Sequence, residues 1–346
     1  MNYQLAGAFR GRWIGRLHMA VTIRDVARQA GVSIATVSKV VNGNDSDISK
    51  ATQERVRAAV EELGYQPNSL ARSLRTRRSN TIGFIVPDFE MVLYPPMIKG
   101  IDMEASRRGY SLLCYSSNNS IEAEITGAKN LASRRIDGLI VNRIHVEELG
   151  DLVEGMDIPV VAIDRADLPV PIGMGQVYTD LPSMVKGAVR ELVNHGRKRI
   201  ALVCHSKNHS GMRYGAYREA LQEAGLPFDD ALVIEGQETF GGGRDAAIAA
   251  LEAGDVDGMV CGNDLVAEGA LAAIREKGLS YPDEVGVVAA NVTYISSGVG
   301  RPFPCFQQPT NALGQMAAKM LLDHLIDGTQ LFKQYIGDAF YPGAVQ

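Results

Sequence analysis

One stretch of the chain, TIRDVARQAGVSIATVSKVVNG from Thr22 to Gly43, has residue types spaced to read a DNA duplex. Thr22 is suited to cap a helix with Asp25 three residues on, and Ile23, Val26, Ala27 and Ala30 follow at helical spacing. Gly31 supplies a turn, Val32 an apolar anchor and Ser33 a second cap before Ile34 to Val41. This is the grammar of a helix-turn-helix, whose second helix enters the major groove with its N-terminal residues at the base edges. The plain alternative is an ordinary helical hairpin.

A second set of polar residues ends a series of apolar runs: Asp88, Asn118, Arg143, Asp164-Arg165, His205, Asn263-Asp264 and Asn291. In open α/β sheets, ligands bind beyond the carboxyl ends of the strands, and this mixture suits a hydroxylated or charged small molecule. Each of these residues alone also serves as a cap or turn. Catalytic chemistry finds less support. Gly241-Gly242-Gly243 lacks both the Lys-Ser/Thr of a Walker A loop and the GxGxxG spacing. No Ser/His/Asp set has recognisable local spacing, and His195 and His205 read as surface and strand-end residues. No catalytic residue, metal ligand or cofactor is therefore expected. Cys114, Cys204, Cys261 and Cys305 lie far apart without a CxxC or Cys/His cluster, and are expected as buried free thiols in a reducing cytosol.

The elements that must position these residues follow from periodicity. A third helix is predicted from about Lys50 to Leu63, with Val56, Ala59, Val60 and Leu63 as its packing stripe and Gly64 as its stop. After the turn Tyr65-Gln66-Pro67-Asn68, the segment SLARSLRTRR is either a basic linker or a hinge that folds only on DNA, with Leu74 as a minor-groove wedge. From Thr81, short apolar runs alternate with amphipathic helices: TIGFIVP, Pro96 to Arg108, SLLCYS, Glu122 to Arg135, DGLIVN and IPVVAID. A second series follows: Pro182 to His195, RIALVC, Tyr214 to Ala224, LVIEG, Arg244 to Ala253, DGMVCG, Ala267 to Lys277 and EVGVVAAN. The pattern predicts parallel α/β sheets in two lobes that meet near Asp164 to Asp180. The expected division is an arm or mis-assigned start over 1–21, with Met19 as the other start, a helix-turn-helix domain over 22–67, a hinge over 68–80 and a two-lobed body over 81–346.

Charge divides the same way. Residues 1–80 hold 13 Lys/Arg and 6 Asp/Glu, while the rest hold 22 and 34, so a basic head precedes an acidic body and only the head is expected to meet a polyanion. Hydrophobic content of 46% implies a sizeable core, and no window approaches the roughly 18 apolar residues of a membrane span. The first eighteen residues lack the continuous apolar run of a signal peptide.

The stretch from Thr22, its continuation LGYQPNSLARSLRT, and the motifs IPVVAIDR, RYGAYREAL and CGNDLVAEGALAAIREKGL closely resemble the LacI/GalR family of bacterial transcription regulators. The resemblance covers about nine-tenths of the chain. It implies an all-α helix-turn-helix head on an α/β body with parallel sheets, the two-lobed periplasmic-binding-protein-like fold. It also implies a cytoplasmic, nucleoid-associated homodimeric repressor on a pseudo-palindromic operator, with a sugar-like effector between the lobes. By resemblance, Ile34 and Ala35 face bases, and Thr22, Ser33, Thr36, Ser38 and Asn42 contact mostly phosphates. Lys39 stands where the family usually has arginine, which keeps the charge but loses the bidentate fork for guanine. Leu74 matches the hinge leucine that prises open the central base step, with Ala71 and Arg75 beside it.

In the cleft, the resemblance places Leu93, Tyr94 and Asp164 on the first lobe and Lys207, Arg213 and Asn263 on the second, with Phe240 as an aromatic platform. The family's Gly-Tyr/Phe-Asp-Asp turn is replaced by Ala289-Ala290-Asn291-Val292, so an uncharged Asn291 stands where an aspartate usually meets ligand. That change implies an effector less cationic or more acidic than usual, or none. Thr329 to Gln346 carries no leucine-heptad tail, which favours a dimer over a tetramer. A regulator without effector control and a periplasmic sugar-binding protein are the alternatives.

Overall fold

The computed structural model describes residues 21–65, 78–91, 93–142, 158–163, 173–204, 211–292, 303–337 and 339–341. It divides into two units, Met1–Ser79 and Asn80–Gln346. The first holds helices α1 (Ile23–Ala30), α2 (Ile34–Val41) and α3 (Lys50–Leu63). Val26, Val37 and Val56, one from each helix, are fully buried together, with Ala27, Ala30, Val40 and Ala59 completing a small core. Ser49 caps the start of α3 by accepting from the Thr52 N–H, and Gly64, in the left-handed region at φ 61, ends it. The hinge residues Ala71, Leu74 and Arg75 lie outside the described residues, as do the arm and Met19.

The second unit contains two six-stranded sheets. The first uses β1 (Thr81–Val86), β2 (Ser111–Ser116), β3 (Gly138–Asn142), β4 (Val160–Ile163), β5 (Gly175–Tyr178) and β11 (Lys333–Tyr335). Their spatial order is β11-β5-β4-β3-β1-β2, and every neighbouring pair is parallel. The second uses β6 (Ile200–Cys204), β7 (Val233–Glu235), β8 (Gly258–Cys261), β9 (Gly286–Val292), β10 (Cys305–Gln307) and β12 (Ala339–Tyr341). Its order, β12-β10-β9-β8-β6-β7, repeats the first sheet's topology, with only β12 antiparallel. Each lobe is thus doubly wound, and its strand order reverses between β1 and β3 or between β6 and β8, where such folds bind ligands.

Helices α4 (Tyr94–Arg107) and α5 (Ile121–Ser133) belong to the first lobe. Helices α6 (Leu181–Asn194), α7 (Gly211–Glu223), α8 (Phe240–Glu252) and α9 (Asp264–Glu276) flank the second. The last helix, α10 (Thr310–Asp327), follows a second-lobe strand but buries Leu313, Ala317, Ala318 and Leu321 in the first-lobe core. The lobes are therefore discontinuous. The chain passes between them after β5, after β10 and after β11, rather than only near Asp164 to Asp180 as the sequence suggested. Two of these passages are tied together: buried Gln308 donates from Nε2 to buried Thr179 Oγ1 at 3.1 Å.

Two other expectations are corrected. Helix α8 begins at Phe240 rather than Arg244, because Thr239 caps it by accepting from the Gly242 N–H at 3.1 Å. Gly241-Gly242-Gly243 are its first turn, and Gly243 lets the helix approach the backbone of Val266 on α9. Cys261 and Cys305 are buried as expected, but Cys114 is exposed, because β2 is an edge strand of its sheet.

Glycines also set the closest helix contact in the body. A Cβ at Gly100 would lie 2.2 Å from the Asn311 carbonyl oxygen, and one at Gly314 would lie 2.2 Å from that of Met97. Gly314→Ala must push α4 and α10 apart at a point where neither backbone can yield locally. Calorimetric unfolding of the full chain is expected to show the body destabilised by about 1–3 kcal/mol; an unchanged body transition would mean that the helices separate without cost.

Candidate functional site

The head is built around two helix caps. The Asp25 carboxylate accepts from the Thr22 hydroxyl at 2.6 Å and from the Thr22 backbone N–H at 3.0 Å. These bonds, the hydroxyl's first, hold the Asp25 carboxyl below the usual carboxylate range. Gly31, at φ 63, turns the chain, and the Val32 N–H returns to the Ala27 carbonyl at 3.0 Å. Ser33 then starts α2 by accepting from the Thr36 N–H at 3.1 Å. With Val37 and Val40 buried against α1 and α3, the opposite face of α2 is committed to the outside.

That face carries the residues expected to read DNA. Ile34, 45% exposed despite its apolar side chain, stands with exposed Ala35, Lys39 and Asn42 and half-buried Ser38 at helical spacings that share one side. Thr22, Ser33 and Thr36 cluster at the two caps, where hydroxyls and helix N-termini favour phosphate oxygens. Asn42 donates to the Ser38 carbonyl. The Lys39 ammonium is ion-paired with Asp47 in the loop before α3, and this pairing holds the Asp47 carboxyl below its usual range. Asp47 carried no motif signal, and only its position after the α2–α3 turn could have suggested it.

In the first lobe, the expected wall residues are less open than the resemblance implied. Leu93 is half-buried against the lobe core, and Tyr94 is 3% exposed with its hydroxyl donating to Asn142 Oδ1 at 3.2 Å. Asn142 ends β3 at the strand-order reversal, one residue before the Arg143 that the sequence singled out. Asp164 and Lys207 lie outside the described residues, as do Arg143 and His205.

The second lobe gathers more. Arg213, only 13% exposed, donates from Nη1 to Glu238 Oε1 at 2.7 Å. Its guanidinium lies against the end of β8, since a Cβ on Gly262 would be 3.2 Å from Nη1. Asn263 follows directly and caps α9, its Oδ1 accepting from the Val266 N–H at 2.9 Å. Strands β8 and β9 pair at Cys261 and Ala289, so Asn263 and Asn291 leave neighbouring strands two residues past that pair. Asn291 is held in the left-handed region at φ 65, and its buried Oδ1 has no hydrogen-bond partner among the described residues. Asparagine tolerates this conformation, and an unpartnered buried amide oxygen at a strand end is a position that a ligand donor can satisfy.

Phe240, expected as a stacking platform, is the first residue of α8 and 47% exposed. It is Glu238, just ahead of the Thr239 cap, whose side chain meets Arg213. No motif marks Glu238, which sits in a bend between β7 and α8.

Comparison with known proteins agrees with this architecture. Residues 22–68 match the family described as bacterial regulatory proteins, lacI family. Residues 79–338 match periplasmic binding proteins and sugar binding domain of LacI family. The chain is 31% identical to the catabolite control protein A of Priestia megaterium, over 89% of this chain and 93% of that one. It is 32% identical to the HTH-type transcriptional regulator CelR of Thermobifida fusca over the same shares. Among solved structures, the lac repressor dimer bound to operator and the anti-inducer ONPF aligns with a TM-score of 0.82. It has 27% identity and covers 94% of this chain and 98% of that chain. A CelR–cellobiose complex aligns at 0.70 with 27% identity, covering 94% and 100%.

The α1 cap yields a pH signature. A carboxyl with a lowered folded-state pKa stabilises the fold above its unfolded value, and that contribution disappears as pH falls through the folded value. Calorimetry of wild type and Asp25→Asn is expected to show the variant's head melting earlier at neutral pH, with the gap closing below about pH 4. A gap that persists unchanged into acid would assign the loss to packing instead of the cap.

Proposed function

Because the chain belongs to the LacI family of bacterial regulatory proteins, we propose that it is a dimeric transcriptional repressor of a pseudo-palindromic operator, released or engaged by a sugar-like effector. The observation that carries this reading is the outward face of α2, where Ile34, Ala35 and Lys39 are exposed on a helix fixed by the Ser33 cap and the Val37–Val40 packing. A face so constrained presents base-reading side chains in one register. One head spans half an operator, so a second copy supplies the other half. The chain is a regulator rather than an enzyme, and its place of action is the chromosome.

In this reading Ile34, Ala35 and Lys39 contact bases. Thr22, Ser33, Thr36, Ser38 and Asn42 hold phosphates, which set register rather than sequence. Lys39 leaves Asp47 to reach a base, and its point charge prefers guanine less strictly than an arginine fork would. Leu74, with Ala71 and Arg75, opens the central step in the minor groove, at least cost where that step is a flexible pyrimidine–purine such as CpG. Effector binds at the carboxyl ends of the body's strands, among Arg213, Asn263 and Asn291, with Leu93, Tyr94, Asp164, Lys207 and Phe240 as further candidates. It acts by favouring one lobe arrangement. The known neighbours support the class of partner: one is described with operator DNA and a ligand, another with cellobiose.

Selection of duplexes from a random library by the full chain tests the reading directly. An inverted repeat is expected; recovery of no sequence preference would refute it. Against the selected site, Lys39→Ala is expected to relax preference at one position per half-site, costing about 1–3 kcal/mol. A loss equal on all sequences would make Lys39 a phosphate contact. Leu74→Ala is expected to weaken the selected site while leaving affinity for random DNA nearly unchanged, and equal losses on both would remove the wedge role.

A further inference from the structure

The effector site carries its own counter-charge, and its donors and acceptors are mixed in a way that discriminates between ligand classes. Arg213 is a nearly buried cation whose partner is not left to the ligand, because Glu238 holds it at 2.7 Å while remaining 29% exposed itself. Glu238 Oε2 makes no hydrogen bond among the described residues, so the pair presents an acceptor beside the remaining guanidinium donors. Asn263 spends its Oδ1 on the α9 cap, which leaves its Nδ2 as a donor. Asn291 leaves its Oδ1 without a partner among the described residues, an acceptor for a ligand O–H or N–H.

Resting on the effector reading above, we infer that Glu238 is the specificity-determining residue of this site, which makes it select uncharged polyhydroxylated ligands and reject carboxylates and phosphates. A hydroxyl both donates and accepts, so neighbouring hydroxyls satisfy Arg213 and Glu238 at once. An anionic oxygen only accepts. To reach Arg213 it must face the Glu238 carboxylate or displace it, and like charges brought together in a partly desolvated site cost far more than a hydrogen bond returns. The uncharged Asn291 adds no second negative charge, so among the described residues of the site Glu238 supplies the carboxylate that an anion meets.

The test is calorimetric titration of the full chain, wild type and Glu238→Gln, with ribose, glucose and cellobiose and with ribose 5-phosphate, gluconate and inorganic phosphate. Glu238→Gln, which keeps the side chain's shape, is expected to bind at least one of the anions about tenfold or more tighter than wild type. It is expected to bind no neutral sugar more tightly. Glu238→Ala is expected to gain anion affinity in the same direction, and a misfolded protein would not gain it. Wild type binding an anion as tightly as the variants, or variants gaining none, would overturn the inference even if wild type binds a sugar. An anion gain in the variants with no sugar bound by wild type would uphold the role of Glu238 and count against the sugar-like effector.

Discussion

The body depends on a constraint of parallel sheets. Strands buried on both faces can carry only apolar side chains along their length, as in the fully buried β3, β4 and β8. Polar residues are pushed to the ends, and because neighbouring strands run the same way, the carboxyl ends gather on one edge. Asn142, Arg213 beside Gly262, Asn263 and Asn291 all stand at such ends, so the candidate site follows from the same rule that builds the cores. The reversals of strand order between β1 and β3 and between β6 and β8 add the crevices.

Discontinuity makes the two lobes responsive to each other. A single linker would allow the lobes to move independently, whereas three passages restrict them to a few arrangements. The Gln308–Thr179 bond fastens two of those passages, and α10, which follows the second, is held to the first lobe through its close glycine contacts with α4. A ligand that bridges strand ends in both lobes therefore biases the whole body, which is the differential affinity that control of a DNA-binding head requires. Interfaces packed this closely switch between discrete arrangements rather than deforming smoothly.

Much of this was legible in the residues because local chemistry decided it. Thr22 with Asp25, Ser33 with Thr36 and Gly64 with its positive φ are short-range devices, and the head helices began and ended where they indicated. Legibility failed where tertiary contacts decided. The Gly241–Gly243 run reads as a turn, yet it is helical because α8 packs backbone to backbone on α9. Helix α10 lies outside the alternating series of strands and helices read from the sequence, although it buries Leu313, Met320, Leu321 and Leu322, and strands β10, β11 and β12 are too short to show a period. Among the candidate site residues, Arg213, Asn263 and Asn291 stand out in the sequence as strand-end or motif residues. Glu238 and Asn142 do not, since each meets a partner distant in sequence, and neither does Asp47 in the head, which lies in a loop without a motif.

Linkage gives the most direct measurement of the central claim, that a ligand held at the strand ends of the body controls a DNA-reading head. A compound that stabilises the full chain is titrated calorimetrically with and without the selected operator duplex, and the duplex is titrated with and without the compound. Reciprocity requires the two affinity ratios to be equal. The account predicts equal ratios well away from one, about 5- to 150-fold. A compound that binds the body with the same affinity whether or not operator is present would contradict it.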